Sequence, residues 1–210
     1  MTSAARSSAF ADVSQRLQTV GFKKRAGLLF TRDIADDVLG WLGLNRASRH
    51  TPAGCYEINP VVGIRHQGVE RIIAELRKEK FHPYMPPTVS RPLGYLMPDP
   101  RYRSWTVSET NSGQSINSLI EAIEDHAAPF IESHATLAGV CELLDDKMGF
   151  DHQLVYRRPV AWLLAGDIPR ALRLVATAEE ALGGRSDAAA LEFRSFAAEF
   201  QRYAGVSHTG

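Results

Sequence analysis

Six of the chain's 11 prolines fall between His82 and Arg103, as Pro83, Pro86, Pro87, Pro92, Pro98 and Pro100. Proline fixes φ and removes a backbone donor, so this density forbids a helix and disfavours a central strand. Any fold must therefore carry about 20 residues of irregular chain through its middle, and a loop of that length in a compact domain is uncommon and often functional. The two flanks read differently. Strand-like runs lie before the prolines, and alanine-rich helical periodicity lies after them.

On the N-terminal side, Met1–Ser8 is small and polar and reads as a frayed tail. Phe10, Val13, Leu17 and Val20 recur at three- and four-residue steps, which predicts an amphipathic helix closed by Gly21. Leu28–Thr31 has strand-like composition, Asp33–Asp37 reads as a turn, and Val38 to Ser48 reads as a second strand. A turn at His50–Gly54 leads to a third strand, Cys55 to His66, in which Pro60 predicts an edge position or a bulge. Short turns between strands make an antiparallel meander. Gln67 to Lys80 reads as a second helix, with Val69, Ile72, Ile73 and Leu76 on one side.

Within and after the proline segment, Leu93–Met97 and Ser104–Glu109 read as short strands. Asn111 or Ser112 caps a helix that Pro129 kinks or ends, and Thr136 begins another that stops near Gly149. Leu154–Ala165, Pro169–Leu182 and Ser186–Tyr203 complete the helical set. The fold class expected is α+β: an N-terminal antiparallel sheet of three to five strands with flanking helices, then a helical C-terminal half. The composition shift near residue 110 predicts parts 1–110 and 111–210, docked as one compact unit.

Charge narrows the function. Twenty-four Lys+Arg balance 24 Asp+Glu over 210 residues. That removes a general electrostatic attraction to nucleic acid or anionic membrane, so neither is expected as a partner. No apolar run reaches the ~18 residues of a membrane span and no signal-like segment follows Met1, so a cytoplasmic location is expected. Cys55 and Cys141 lie far apart, without paired-cysteine or His-Glu-x-x-His spacing, and the seven histidines are scattered. No metal is expected. The glycines of Gly40–Trp41–Leu42–Gly43 sit inside a strand pattern, and Thr88–Val89–Ser90–Arg91–Pro92 lacks the glycines of a nucleophile elbow, so neither a nucleotide cofactor nor catalytic residues are expected.

Recognition chemistry is more visible. Trp41, Arg65, His66 and Trp105 lie on or beside strands, and Arg101 and Arg103 sit in the proline segment among Tyr84, Tyr95 and Tyr102. Aromatic and arginine side chains are what binding hot spots favour. The competing reading is of core tryptophans, rim arginines and a rigid strap over the sheet edge. Val160 to Asp167, followed by Arg170–Ala171–Leu172, resembles half of a tetratricopeptide-like hairpin. An array needs about three such repeats, so this is read as a single αα-hairpin.

The order helix, Gly21–Phe22–Lys23–Lys24–Arg25, Phe30, strand, Tyr56–Glu57–Ile58–Asn59, Val62–Gly63–Ile64–Arg65–His66 resembles an uncharacterised bacterial family of unknown function. Trp105, the helix with Ile116 and Ile120, and the Gly166–Asp167 hairpin extend the likeness over most of the chain. The resemblance implies an α+β fold and brings no activity, so no catalytic residue is carried over. Small bacterial proteins of this layout also serve as immunity or accessory proteins beside toxins, an analogy of layout alone. The function expected is a non-enzymatic protein-binding module, a toxin-neutralising or accessory protein. The alternative is a small-molecule-binding or hydrolytic enzyme with its site between the sheet and the proline-rich segment.

Overall fold

A computed structural model describes residues 3–47, 51 and 54–206. Met1, Thr2, Ser48, His50, His208 and most of the expected His50–Gly54 turn lie outside the described residues. The protein is an α+β chain with a six-stranded antiparallel sheet, one strand more than the upper expectation.

Helix α1 spans Ser3–Thr19, so most of the expected N-terminal tail is helical. It ends as its glycine predicts: Gly21 takes φ 86°, Phe22 N–H donates to Leu17 O at 2.9 Å and Gly21 N–H to Gln18 O at 3.1 Å. This is the pair of bonds that closes a helix on a left-handed residue. Strand β1 (Lys23–Ala26) was not expected, because its Lys-Lys-Arg run carries no apolar alternation. It is an edge strand, where charge discourages further pairing. Its antiparallel partner β2 (Leu29–Ala35) holds it through Lys23 Nζ to Asp33 Oδ2 at 2.6 Å and Arg25 Nε to Thr31 Oγ1 at 2.7 Å. Asp33 stays in the ladder opposite Leu39 of β3 (Val38–Ala47), so the acidic turn narrows to Asp36–Asp37.

Strand β4 (Tyr56–His66) is interior to the sheet, which corrects the edge position expected from Pro60. Its neighbour on the side away from β3 comes in two pieces, β5 (Val89–Pro92) and β6 (Trp105–Val107). The β6 ladder ends at Ile58–Trp105, before it reaches Pro60. There Tyr102 donates its hydroxyl to Asn59 Oδ1 at 2.5 Å. The β6 ladder therefore makes no demand on the backbone donor that Pro60 lacks.

Helix α2 (Gln67–Leu76) is capped by His66, whose Nδ1 accepts from Val69 N–H at 3.4 Å. It stops short of the expected Lys80 because Lys78 adopts φ 56°, with Glu79 N–H donating to Ala74 O at 2.8 Å. A lysine thus does here what Gly21 does after α1. The expected strand at Leu93–Met97 is instead one 3₁₀ turn, Leu93–Tyr95. Helix α3 (Ser112–Ala122) continues through a π turn, Ile123–Ala127, into α4 (Ala128–Ser133). Ala128 N–H bonds Ile123 O, shifting the bonding register by one residue just before Pro129, which cannot donate. The rest is α5 (Leu137–Asp145), α6 (Asp151–Leu164), α7 (Ile168–Leu182) and α8 (Ala188–Val206).

Contacts group the chain into two units, each built from two segments. The first comprises residues 1–65 and 90–135, where the composition shift near residue 110 falls inside. Its core joins Leu17 of α1, Phe30, Leu42 and Ile58 of the sheet, and Ile116 and Ile120 of α3. The second comprises residues 66–89 and 136–210. In it α6 packs against α2, α5 and α7, and α7 against α8. An aromatic chain runs from Tyr156 through Phe196 (centroids 4.8 Å apart, edge-on) to Phe200 (5.8 Å). Arg157 Nε meets Glu70 Oε1 at 2.9 Å, both side chains buried.

Candidate functional site

The six residues singled out from sequence go to different environments. Trp41, half-buried on β3, lays its ring over Gly43, where a Cβ would sit 2.6 Å from ring atom Cη2. Arg65 and His66 are buried at the end of β4, His66 as the cap of α2. Arg101 and Arg103 share Asp99 Oδ2, at 3.1 and 3.3 Å. Trp105 is 9% exposed and donates Nε1–H to Ser118 Oγ at 3.3 Å.

The fold brings Arg103 and Trp105 together on a cavity of about 500 Å³, with Met97, Thr106, Asn111 and Ser115 also lining it. Its polar groups largely bond one another. Ser115 Oγ donates to Thr106 O at 2.7 Å, Asn111 Nδ2 to the same oxygen at 3.3 Å, and Ser108 N–H to Asn111 Oδ1 at 2.7 Å. Arg103 Nε is buried without a hydrogen-bond partner. A lining so occupied with itself offers a ligand little beyond that one donor.

A larger cavity, about 860 Å³, lies in the second unit along α6 and α7 and beside the end of α5. The helices are joined through Gly166 (φ 85°) and Asp167, whose Oδ1 caps α7 by accepting from Arg170 N–H at 3.0 Å. Apolar residues on α7 form two stripes. Ala171 and Val175 are fully buried, while Leu174, Ala178 and Ala181 line the cavity. From α6, Leu154, Val155 and Pro159 complete its floor. Pro159 also withholds the N–H that the Val155 carbonyl would otherwise accept.

Lys147, Arg158, Arg170 and Arg173 rim this floor, together with the carboxylates Asp151 and Asp167. Asp145, at the end of α5, braces two of the arginines. Its Oδ1 accepts from Arg158 Nη2 at 2.9 Å and Nε at 3.2 Å, and its Oδ2 from Arg170 Nη2 at 2.5 Å. The Trp162 indole N–H reaches Oδ1 at 3.4 Å, and the Arg170 guanidinium lies 3.7 Å over the Trp162 ring. One turn before Asp145, burial pushes the Cys141 thiol up to about 11, with Asp145 adding to the rise and Arg170 opposing it. None of the six residues expected from sequence lines this cavity. The signal available for it was the second apolar stripe of α7, interleaved with Arg170 and Arg173.

Among the described residues no group of three His, Cys, Asp or Glu side chains is placed to hold a metal ion. Among the same residues no helix is long and apolar enough to cross a membrane. Set against protein-family models, curated proteins and solved structures, the chain matches none. Site assignment therefore rests on the geometry of this molecule.

Proposed function

We propose that the protein is a non-enzymatic protein-binding module and that the α6–α7 groove is its docking surface. The observation that carries this reading is an open apolar floor beside guanidinium groups already held in place. Arg158 and Arg170, braced by Asp145, with Arg170 also stacked on Trp162, lose little further freedom on meeting a partner, and desolvated arginine is a favoured hot-spot residue. Both oxygens of Asp145 are taken by Arg158, Arg170 and Trp162, which favours recognition over proton transfer. Both cysteines are free, in keeping with a reducing compartment such as the cytoplasm. A toxin-neutralising or accessory role suits a module of this kind, by analogy of layout.

The test is site-specific photocrosslinking in the source cells, with the probe at Val155 in the groove and, as control, at Lys24 on the edge strand β1 of the other unit. We expect one protein to be trapped from Val155 and not from Lys24. Ala178→Trp, which fills the groove, should weaken its capture about tenfold, or about 1.4 kcal/mol, while the melt stays within about two degrees of wild type. Equal capture by the filled variant overturns the assignment.

A further inference from the structure

Resting on that reading of the groove, we infer that its occupant is an acidic amphipathic helix of a partner protein. The helix sets apolar side chains on Leu154, Leu174 and Ala178 and carboxylates on Lys147 and Arg173. Three observations converge on this chemistry.

The first is dimension. The α7 wall runs from Asp167 to Ala181, which at about 1.5 Å per residue is roughly 21 Å, or four helical turns. A helix of three to four turns lies along such a wall from end to end. Lining residues recur on α7 at 170, 173 and 174, 177 and 178, and 181, and on α6 at 151, 154 and 155, and 158 and 159. These three- and four-residue steps are the ridges between which another helix packs, and the small side chains of Ala178 and Ala181 admit its backbone closely.

The second is backbone accounting. Both long walls are helices whose own ladders consume their N–H and C=O groups, apart from the Val155 carbonyl that Pro159 leaves without its i+4 donor. An extended segment entering the groove would bury unpaired backbone groups, each costly, whereas a helix arrives with its ladder satisfied. Helix in groove is therefore the mode this surface fits, rather than strand addition.

The third is charge. Arg158 and Arg170 share Asp145, and Asp167 is engaged at the α7 N-terminus. Asp151 stands in the first turn of α6, where the helix dipole favours a carboxylate. Lys147 and Arg173 make no ion pair with any described residue. Two exposed cations without an ion pair, in a lining where four basic side chains outnumber two carboxylates, call for a partner that presents carboxylates flanking an apolar stripe.

The experiment is amide-shift titration of the isotope-labelled full chain with three synthetic peptides of about 16 residues, near four turns. One carries leucines on a single helical face with glutamates flanking them. The second replaces those glutamates with lysines, and the third keeps the glutamates but carries two central prolines. We expect the acidic peptide to shift Val155, Arg173, Leu174 and Ala178 saturably and to weaken as salt is raised. The other two should bind at least tenfold more weakly. In a Lys147→Glu/Arg173→Glu chain that still melts as wild type, preference should pass to the lysine peptide. Equal shifts by the acidic and lysine peptides overturn the acidic partner and leave the groove reading standing. Equal shifts by the proline peptide overturn the helix. If no peptide moves these amides, the groove reading falls as well. Concentration-dependent shifts of the same amides without peptide assign the groove to a second copy and overturn the inference.

Discussion

Asp145 shows what a single side chain does in this protein: one carboxylate at the end of α5 orients an arginine from α6 and another from α7. Sequence spacing does not announce such a site, since its members stand at 145, 158, 162 and 170 and meet only when three helices pack. The Glu70–Arg157 pair, 87 positions apart, is equally silent in the sequence. Arg65 and His66 go the other way: their residue types suggested a surface, yet the C-terminal end of β4 is buried at every position. Cys141 supplies the prediction at this scale. Its thiol is raised from 9.0 to about 11 chiefly by burial, so the folded state keeps a proton that the unfolded chain loses first. Stability from the neutral thiol is fully present below about pH 9 and is lost as pH rises toward 11. Denaturant melts at pH 8, 10 and 11 should show the wild type losing more stability than Cys141→Ala. Parallel losses would remove the thiol from the account.

At the scale of elements, helix ends divide into those written locally and those imposed. Gly21 closes α1 by its own conformational freedom, and the sequence shows it. Lys78 closes α2 in the same left-handed geometry against its side-chain preference, which requires surrounding structure to hold it. The proline segment shows the same division. Its prolines correctly announced irregular chain, but the 3₁₀ turn at Leu93–Tyr95 follows from a close approach that local sequence does not record. A Cβ on Gly94 would stand 2.3 Å from Arg101 O and 2.9 Å from Arg103 N, both backbone atoms. Gly94→Ala should therefore cost about 1–3 kcal/mol through overpacking and lower the melting temperature by several degrees. Arg101→Ala should leave the melt nearly unchanged, because its pair with Asp99 is exposed on both sides. Identical melts for the two variants would refute the account of the turn.

For the whole molecule, the units are interleaved along the chain, since α2 belongs with α6 and α8 although the proline segment and the first unit's helices follow it. A fragment ending at Ala135 keeps α2 but loses both helices it packs against. It should expose Val69, Ile72, Ile73 and Leu76 and bind a hydrophobic dye more strongly than the intact chain does. A fragment in which a short linker replaces residues 66–89 should not bind the dye. Dye binding by neither fragment would contradict the grouping of α2 with the C-terminal helices. What could be decided locally was legible in advance. Three- and four-residue periodicity marked the helices, strand-like composition marked β3 and the start of β2, alternation marked β4, and proline density marked residues 82–103, because each is a property of contiguous residues. The divided neighbour of β4, the left-handed Lys78 and the cationic groove of α6 and α7 came only with tertiary structure. Each is a juxtaposition of distant segments, and its energy depends on which surfaces packing leaves covered or open, which no single stretch of chain encodes.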